Sequence, residues 1–196
     1  EDLLSAKECA HLIALTHTLQ SFEENGMERR WLSPEMEASD PIVIEVVKRL
    51  HRAALIPETQ GERLQLAHQA PSSKVELHLD SAPDLGLVRP MSLLVYLDGD
   101  GRGGTAGATV FPLGRCFDLL GCCELAANGT ADGPLVVPPK AGRALLFASH
   151  HLDGVLDHMA AHGACPAGPG GKWVAQRWFR AVLPAPKVDR GAGQKE

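Results

Sequence analysis

Between residues 74 and 80 the chain reads KVELHLD, a strict alternation of apolar and polar positions. In an extended chain successive side chains point to opposite faces, so Val75, Leu77 and Leu79 are expected on one face and Glu76, His78 and Asp80 on the other. Short strand-like runs follow one another: RLQLAHQ, MSLLVYLD, ATVFP, PLVVPP, RALLFAS and KWVAQRWFRAVL, separated by Gly and Pro. Seven or eight short strands with no helical stretch between them predict a closed or sandwiched antiparallel sheet such as a jelly roll. The first 60 residues read differently. Ser5 and Glu8 form a capping-box pattern ahead of an apolar stripe of Cys9, Leu12, Ile13 and Leu19. Asp40-Pro41 marks a second helix start, followed by Ile42, Val43, Val46, Val47 and Leu50 at helical spacing. Residues 1–60 are therefore expected as helices packed outside a sheet, and 61–183 as the jelly-roll core of the same domain. Gly103-Gly104 and 113–134 read as loops, and the Pro-rich tail 184–196 as frayed.

Composition narrows the function classes. Charged residues make up 22% of the 196 and the formal charge is −5, which argues against nucleic acid as the main partner. No apolar run approaches the roughly 20 residues of a membrane span. The chain starts with Glu1 rather than methionine and is read as lacking its natural start, so a missing leader or anchor carries no information. The five cysteines form no paired C-x-x-C, which disfavours structural zinc. Cys116, Cys122 and Cys123 crowd near the sequon Asn128-Gly129-Thr130. Both features suit a disulfide-clamped loop in a secretory protein, so the endomembrane system (ER or Golgi) is favoured over the cytoplasm. Cys165 is read as a packed thiol.

His78-Leu79-Asp80 sets a histidine and a carboxylate side by side, either as a solvated edge or as part of a metal site. Two histidines and one carboxylate on one face typically hold divalent iron with coordination positions left open. A distant histidine would complete the set. His11, His17 and His51 fall in the helical segment, and position alone does not choose among His150, His151, His158 and His162. Beyond His162 a Gly/Pro turn leads into a strand whose one face carries Lys172, Val174, Gln176 and Trp178. A lysine opening an inward face needs either water at a barrel mouth or an anionic partner.

The ordered set His78-Leu79-Asp80, LLVYLDG, GGTAGATVFP, VVPPKAGRALLF, DGVLDHMAAHGACP and GGKWVAQRW resembles the prolyl 4-hydroxylase type of iron(II)- and 2-oxoglutarate-dependent dioxygenases, over about residues 64–182. The collagen, plant, algal and bacterial branch is the nearer one, because it too uses a lysine at the position of Lys172. The resemblance implies a mainly β fold with N-terminal helices: a double-stranded β-helix (jelly-roll) barrel buttressed by α-helices. It implies His78, Asp80 and His162 as iron ligands and Lys172 as the partner of the distal carboxylate of 2-oxoglutarate. Tyr96 and Thr109 match positions beside that carboxylate, and Trp178 matches a tryptophan near the active site. The implied reaction couples oxidative decarboxylation of 2-oxoglutarate to succinate and CO2 with hydroxylation by O2 of an unactivated C–H bond. Peptidyl proline in a proline-rich or collagen-like chain is the implied substrate, and ascorbate the implied L-ascorbic acid cofactor that restores oxidised iron.

The chain departs from the family pattern in four places. His68 stands where a tyrosine near the co-substrate is usual; it replaces the phenol as a donor, adds a polar group near iron, or is a core or edge histidine. A Gly-rich approach to the H-x-D strand is replaced by APSSKVEL, Ala108 replaces an acidic residue before Thr109 with TAG inserted ahead, and Asp98 replaces Asn. The first three bear on substrate choice at the mouth more than on iron or 2-oxoglutarate. Rival readings are hydroxylation of another amino-acid side chain or a small molecule, a non-catalytic module binding proline-rich peptide, and a metal-dependent isomerase or storage barrel, which would have no need of Lys172.

Overall fold

The computed structural model describes residues 2–101, 104–129 and 132–180. The tail 184–196, the last residues of the final predicted strand, Gly103, and Thr130 of the sequon lie outside the described residues. The N-terminal half begins with helix α1 (Ala6–Leu15), strands β1 (Phe22–Glu24) and β2 (Met27–Trp31), and helices α2 (Pro34–Ser39) and α3 (Pro41–Ala54). Strands β3 (Gln65–Gln69), β4 (Val75–His78), β5 (Met91–Tyr96) and β6 (Thr109–Phe111) follow. Helix α4 (Leu119–Ala127) then precedes β7 (Leu135–Val137), β8 (Ala144–Ala148), β9 (His162–Ala164) and β10 (Lys172–Phe179).

These strands form two antiparallel sheets, ordered β1-β2-β3-β10-β5-β8 and β4-β9-β6-β7. They face each other as the two halves of a double-stranded β-helix, and among the described residues no strand pairing closes them into one barrel. Alternation along the larger sheet sorts its side chains into two cores. On the outer face Leu66, Leu93, Val95, Ala175 and Phe179 pack against Leu12 of α1 and Val43, Val46, Val47 and Leu50 of α3. On the inner face Ala67, Leu94, Tyr96 and Val174 meet Val75 and Ala164 of the smaller sheet. A third cluster, Val110, Leu119, Cys122, Cys123 and Cys165, fastens α4 to the far side of the smaller sheet.

The helix starts follow the sequence reading. Ser5 and Glu8 make the reciprocal capping box of α1, and Asp40 Oδ1 accepts from the backbone N–H groups of Ile42 and Val43 at the head of α3. Three expectations are corrected. Residues 22–31, read as part of a helical segment, form the β1–β2 hairpin that extends the larger sheet through β2 and β3. Its sequence, FEENGMERRW, lacks apolar alternation because Arg29 fills a buried position with its charge paired, so the period-2 signal is hidden. The stretch 113–134 contains α4, capped by Asp118, and is not a plain loop. Cys165 is no packed thiol: disulfides join Cys116 to Cys122 and Cys123 to Cys165, the second tying α4 to the segment just after β9.

Candidate active site

A bulge on β4 aims the first candidate ligand. Val75 pairs with Ala164 and His78 with His162, so three steps on β4 oppose two on β9. The extra residue turns both Glu76 and Leu77 outward, and Val75 and His78 line the same inner cavity. The alternation expected from KVELHLD therefore does not hold through the strand: Val75 shares the face of His78. Bulges commonly re-aim a side chain in this way beside functional sites.

His78 comes from the end of β4, Asp80 lies two residues beyond it, and His162 opens β9. One ligand atom from each falls within 4.8 Å of the others, the one such cluster of three among the described residues. Asp80 Oδ1 is 3.7 Å from His78 Nε2, and Asp80 Oδ2 is 3.9 Å from His162 Nε2. The Nδ1 of each ring lies against a backbone carbonyl, that of Glu76 at 2.8 Å and that of Ala160 at 3.0 Å. A proton held there by the carbonyl leaves Nε2 free as a metal ligand. Burial keeps His162 below the usual imidazole range, which favours the neutral form a metal binds. Phe111 and Phe147 pack against its ring, at 5.4 and 4.7 Å between centroids, and dry that side. Two imidazoles and one carboxylate converging from one face are a donor set that fits Fe(II). His150, His151 and His158 lie outside the cluster. Asp153 and Asp157 accept backbone N–H bonds in turns.

The cavity running inward from His78 and His162 ends at Lys172, with Thr109, Leu94, Val174 and Gln176 on its walls. Its volume is about 30 Å³, and Met27 also lines it. Lys172 is 3% exposed, and its Nζ donates to the Gly107 carbonyl at 2.8 Å. Burial lowers its pKa to about 7, opposed only in part by attraction to Asp98. The Tyr96 phenol sits 2.7 Å from Thr109 Oγ1 and 3.0 Å from the Val137 carbonyl. Burial pushes that phenol up to about 12, so it stays a neutral donor. Asp98, in the place of the usual Asn, accepts the Trp173 backbone N–H at 3.0 Å.

Two residues are placed apart from this cavity. His68 points to the outer face of the larger sheet, stacks on Trp173 at 4.4 Å and does not line this cavity. Side-chain parity decides this, since Ala67 is the inward neighbour. Trp178 lines a second, outer groove of about 310 Å³ rather than the cofactor cavity. That groove has His78 and Asp80 on its floor and Trp31, Trp178, Arg29 and Arg89 on its walls. Trp31 and Trp178 lie 5.7 Å apart, and Arg89 sits 3.9 Å over the Trp178 ring. Both nitrogens of the Arg89 fork bind Glu62 at 2.8 Å, which in turn holds Arg180. Sequence reasoning missed Trp31 and Arg29, whose strand it read as helix.

The sequence profile of the 2OG-Fe(II) oxygenase superfamily matches residues 64–180. The chain is 34% identical over 195 residues to "Probable prolyl 4-hydroxylase 6" of Arabidopsis thaliana, covering 90% of this chain and 66% of that protein. It is 31% identical over 197 residues to "Prolyl 4-hydroxylase 2" of the same plant, covering 91% and 65%. It thus spans somewhat less than two thirds of the length of these relatives. Among solved structures, the 2OG complex of the viral collagen prolyl hydroxylase from Paramecium Bursaria Chlorella virus-1 superposes with a TM-score of 0.65 at 24% identity, over 93% of this chain and 94% of that one. A Pseudomonas putida prolyl-4-hydroxylase gives 0.62 at 20% identity, over 92% and 90%. At those identities the structural likeness establishes the shared fold.

Proposed function

The chain belongs to the 2OG-Fe(II) oxygenase superfamily, and from that membership we propose that it is an Fe(II)- and 2-oxoglutarate-dependent dioxygenase that hydroxylates peptidyl proline. One observation carries the reading. The His78, Asp80 and His162 cluster stands between an inner cavity ending on a buried, unneutralised lysine and an outer groove walled by two tryptophans. His78, Asp80 and His162 would hold the iron. Bound there with 2-oxoglutarate and O2, it supplies oxidative decarboxylation to succinate and CO2 and hydroxylation of a C–H bond.

The chain's own residues do the rest. Lys172, which no carboxylate among the described residues contacts, gains a counter-charge from the distal carboxylate of 2-oxoglutarate and fixes its orientation. Thr109 lines the same end, and Tyr96 holds the Thr109 hydroxyl in place. Phe111 and Phe147 exclude water beside His162. In the outer groove Trp31 is partly exposed beside Trp178, whose ring Arg89 covers, and aromatic-lined grooves suit pre-extended proline-rich segments. Names among the relatives, prolyl 4-hydroxylases of a plant, support the same substrate class. Ascorbate is the reductant expected of that class. The two disulfides support an oxidising compartment such as the endomembrane system. No described helix is long and apolar enough to cross a membrane.

Succinate release from 2-oxoglutarate, with Fe(II) and ascorbate, tests the proposal in the presence and absence of a proline-rich peptide. Peptide-stimulated succinate that disappears in His162→Ala is the expected result. Unstimulated succinate would keep the oxygenase chemistry and move the substrate to another side chain or a small molecule. Peptide binding with no succinate above the mutant would leave a non-catalytic binding module.

A further inference from the structure

Ser92 sits on β5, between β10 and β8 in the larger sheet, and its side chain is fully buried. It shares the inner face with Leu94 and Tyr96. A hydroxyl buried there is destabilising unless it finds a hydrogen-bond partner. Its partner is Asp80: Ser92 Oγ donates to Asp80 Oδ2 at 2.5 Å. Asp80 lies beyond the end of β4, so no strand pairing fixes it. The two histidines of the cluster are each oriented by a backbone carbonyl, and the carboxylate is oriented by this hydroxyl instead.

We infer that Ser92 is a positioning residue that holds Asp80 by Oδ2 and presents Oδ1, the oxygen facing His78, as a single-oxygen donor to the metal. A carboxylate held this way would offer the metal one oxygen rather than two. This rests on the metal site proposed above. Partners of metal ligands that act through hydrogen bonds typically contribute 10–100-fold to metal affinity.

Three variants test it in the full chain: Ser92→Ala, Ser92→Thr and Ser92→Val, the last two nearly equal in volume and differing in the hydroxyl. The readout is equilibrium binding of Co(II), a stand-in for Fe(II) that resists oxidation, by calorimetry, alongside the melting temperature of the metal-free protein. Ser92→Ala and Ser92→Val should bind Co(II) about 10–100-fold more weakly, while Ser92→Thr stays near the wild type. Equal affinities for the Thr and Val variants, in either direction, would overturn the inference, because packing changes affect both alike. Wild type that fails to bind Co(II) would remove the metal site itself and this inference with it.

Discussion

Lys172 Nζ and the Gly107 carbonyl oxygen are 2.8 Å apart, and among the described residues that bond stands in place of a contacting carboxylate. A lysine kept in this state is costly to the empty protein and available to an anionic ligand. Lys172→Met should therefore raise the melting temperature of the metal-free protein while weakening 2-oxoglutarate binding about 10–100-fold, the size of a lost hydrogen bond to a charged group. Differential scanning calorimetry and ligand titration measure the two halves separately. A variant less stable than wild type would show that the lysine is satisfied as it stands.

The same lysine sets a pH dependence. Its pKa is lowered by burial to about 7 in the folded chain, against 10.5 in the unfolded one. Between those values the unfolded state carries more protons, so stability rises as pH increases from about 7 to about 10. Below about 7 the burial cost is present in full. Melting curves across this window should show the rise in wild type and a flatter profile in Lys172→Met.

His68 stacks on Trp173 on the outer face of the larger sheet. His68→Ala should leave 2-oxoglutarate and metal affinities within about twofold and cost about 0.5–1.5 kcal/mol of stability from the lost ring pair. A tenfold loss of co-substrate affinity would return His68 to the site.

Trp178 belongs to the outer groove. Trp178→Ala should raise the KM for a proline-rich peptide about tenfold or more, as loss of a buried aromatic anchor does. The dissociation constant of 2-oxoglutarate should change far less. Equal losses for both ligands would place the ring at the co-substrate after all.

The two disulfides close loops of different size, spanning 6 residues for Cys116–Cys122 and 42 for Cys123–Cys165. Chain-entropy arguments give about 2 kcal/mol for the first and about 4 kcal/mol for the second. Denaturant unfolding of Cys116→Ser/Cys122→Ser and Cys123→Ser/Cys165→Ser double variants should reproduce that order. The reverse order would mean that α4 is held by packing rather than by its link to the segment after β9.

Local signals were enough for much of this protein. The capping box at Ser5 and the Asp40-Pro41 start announce α1 and α3, because caps act within one turn. Short apolar runs bounded by Gly and Pro announce seven of the strands, since they signal a strand without its pairing partners. The ordered motifs around His78, Asp80, His162 and Lys172 carried the resemblance to the oxygenase family, which the match over residues 64–180 bears out. What the sequence could not decide is where non-local pairing changes the phase. The β4 bulge arises from register against β9, so only the paired strands reveal that Val75 and His78 face inward together. The parity of β3 against β10 sends His68 outward, and a single step would have reversed it. Strand β2 is charged because its Arg29 is buried by partners from β1 and β3, and charge in one segment does not announce its partners in another. Ser92 is one serine among apolar neighbours until folding sets it 2.5 Å from Asp80, twelve residues away along the chain.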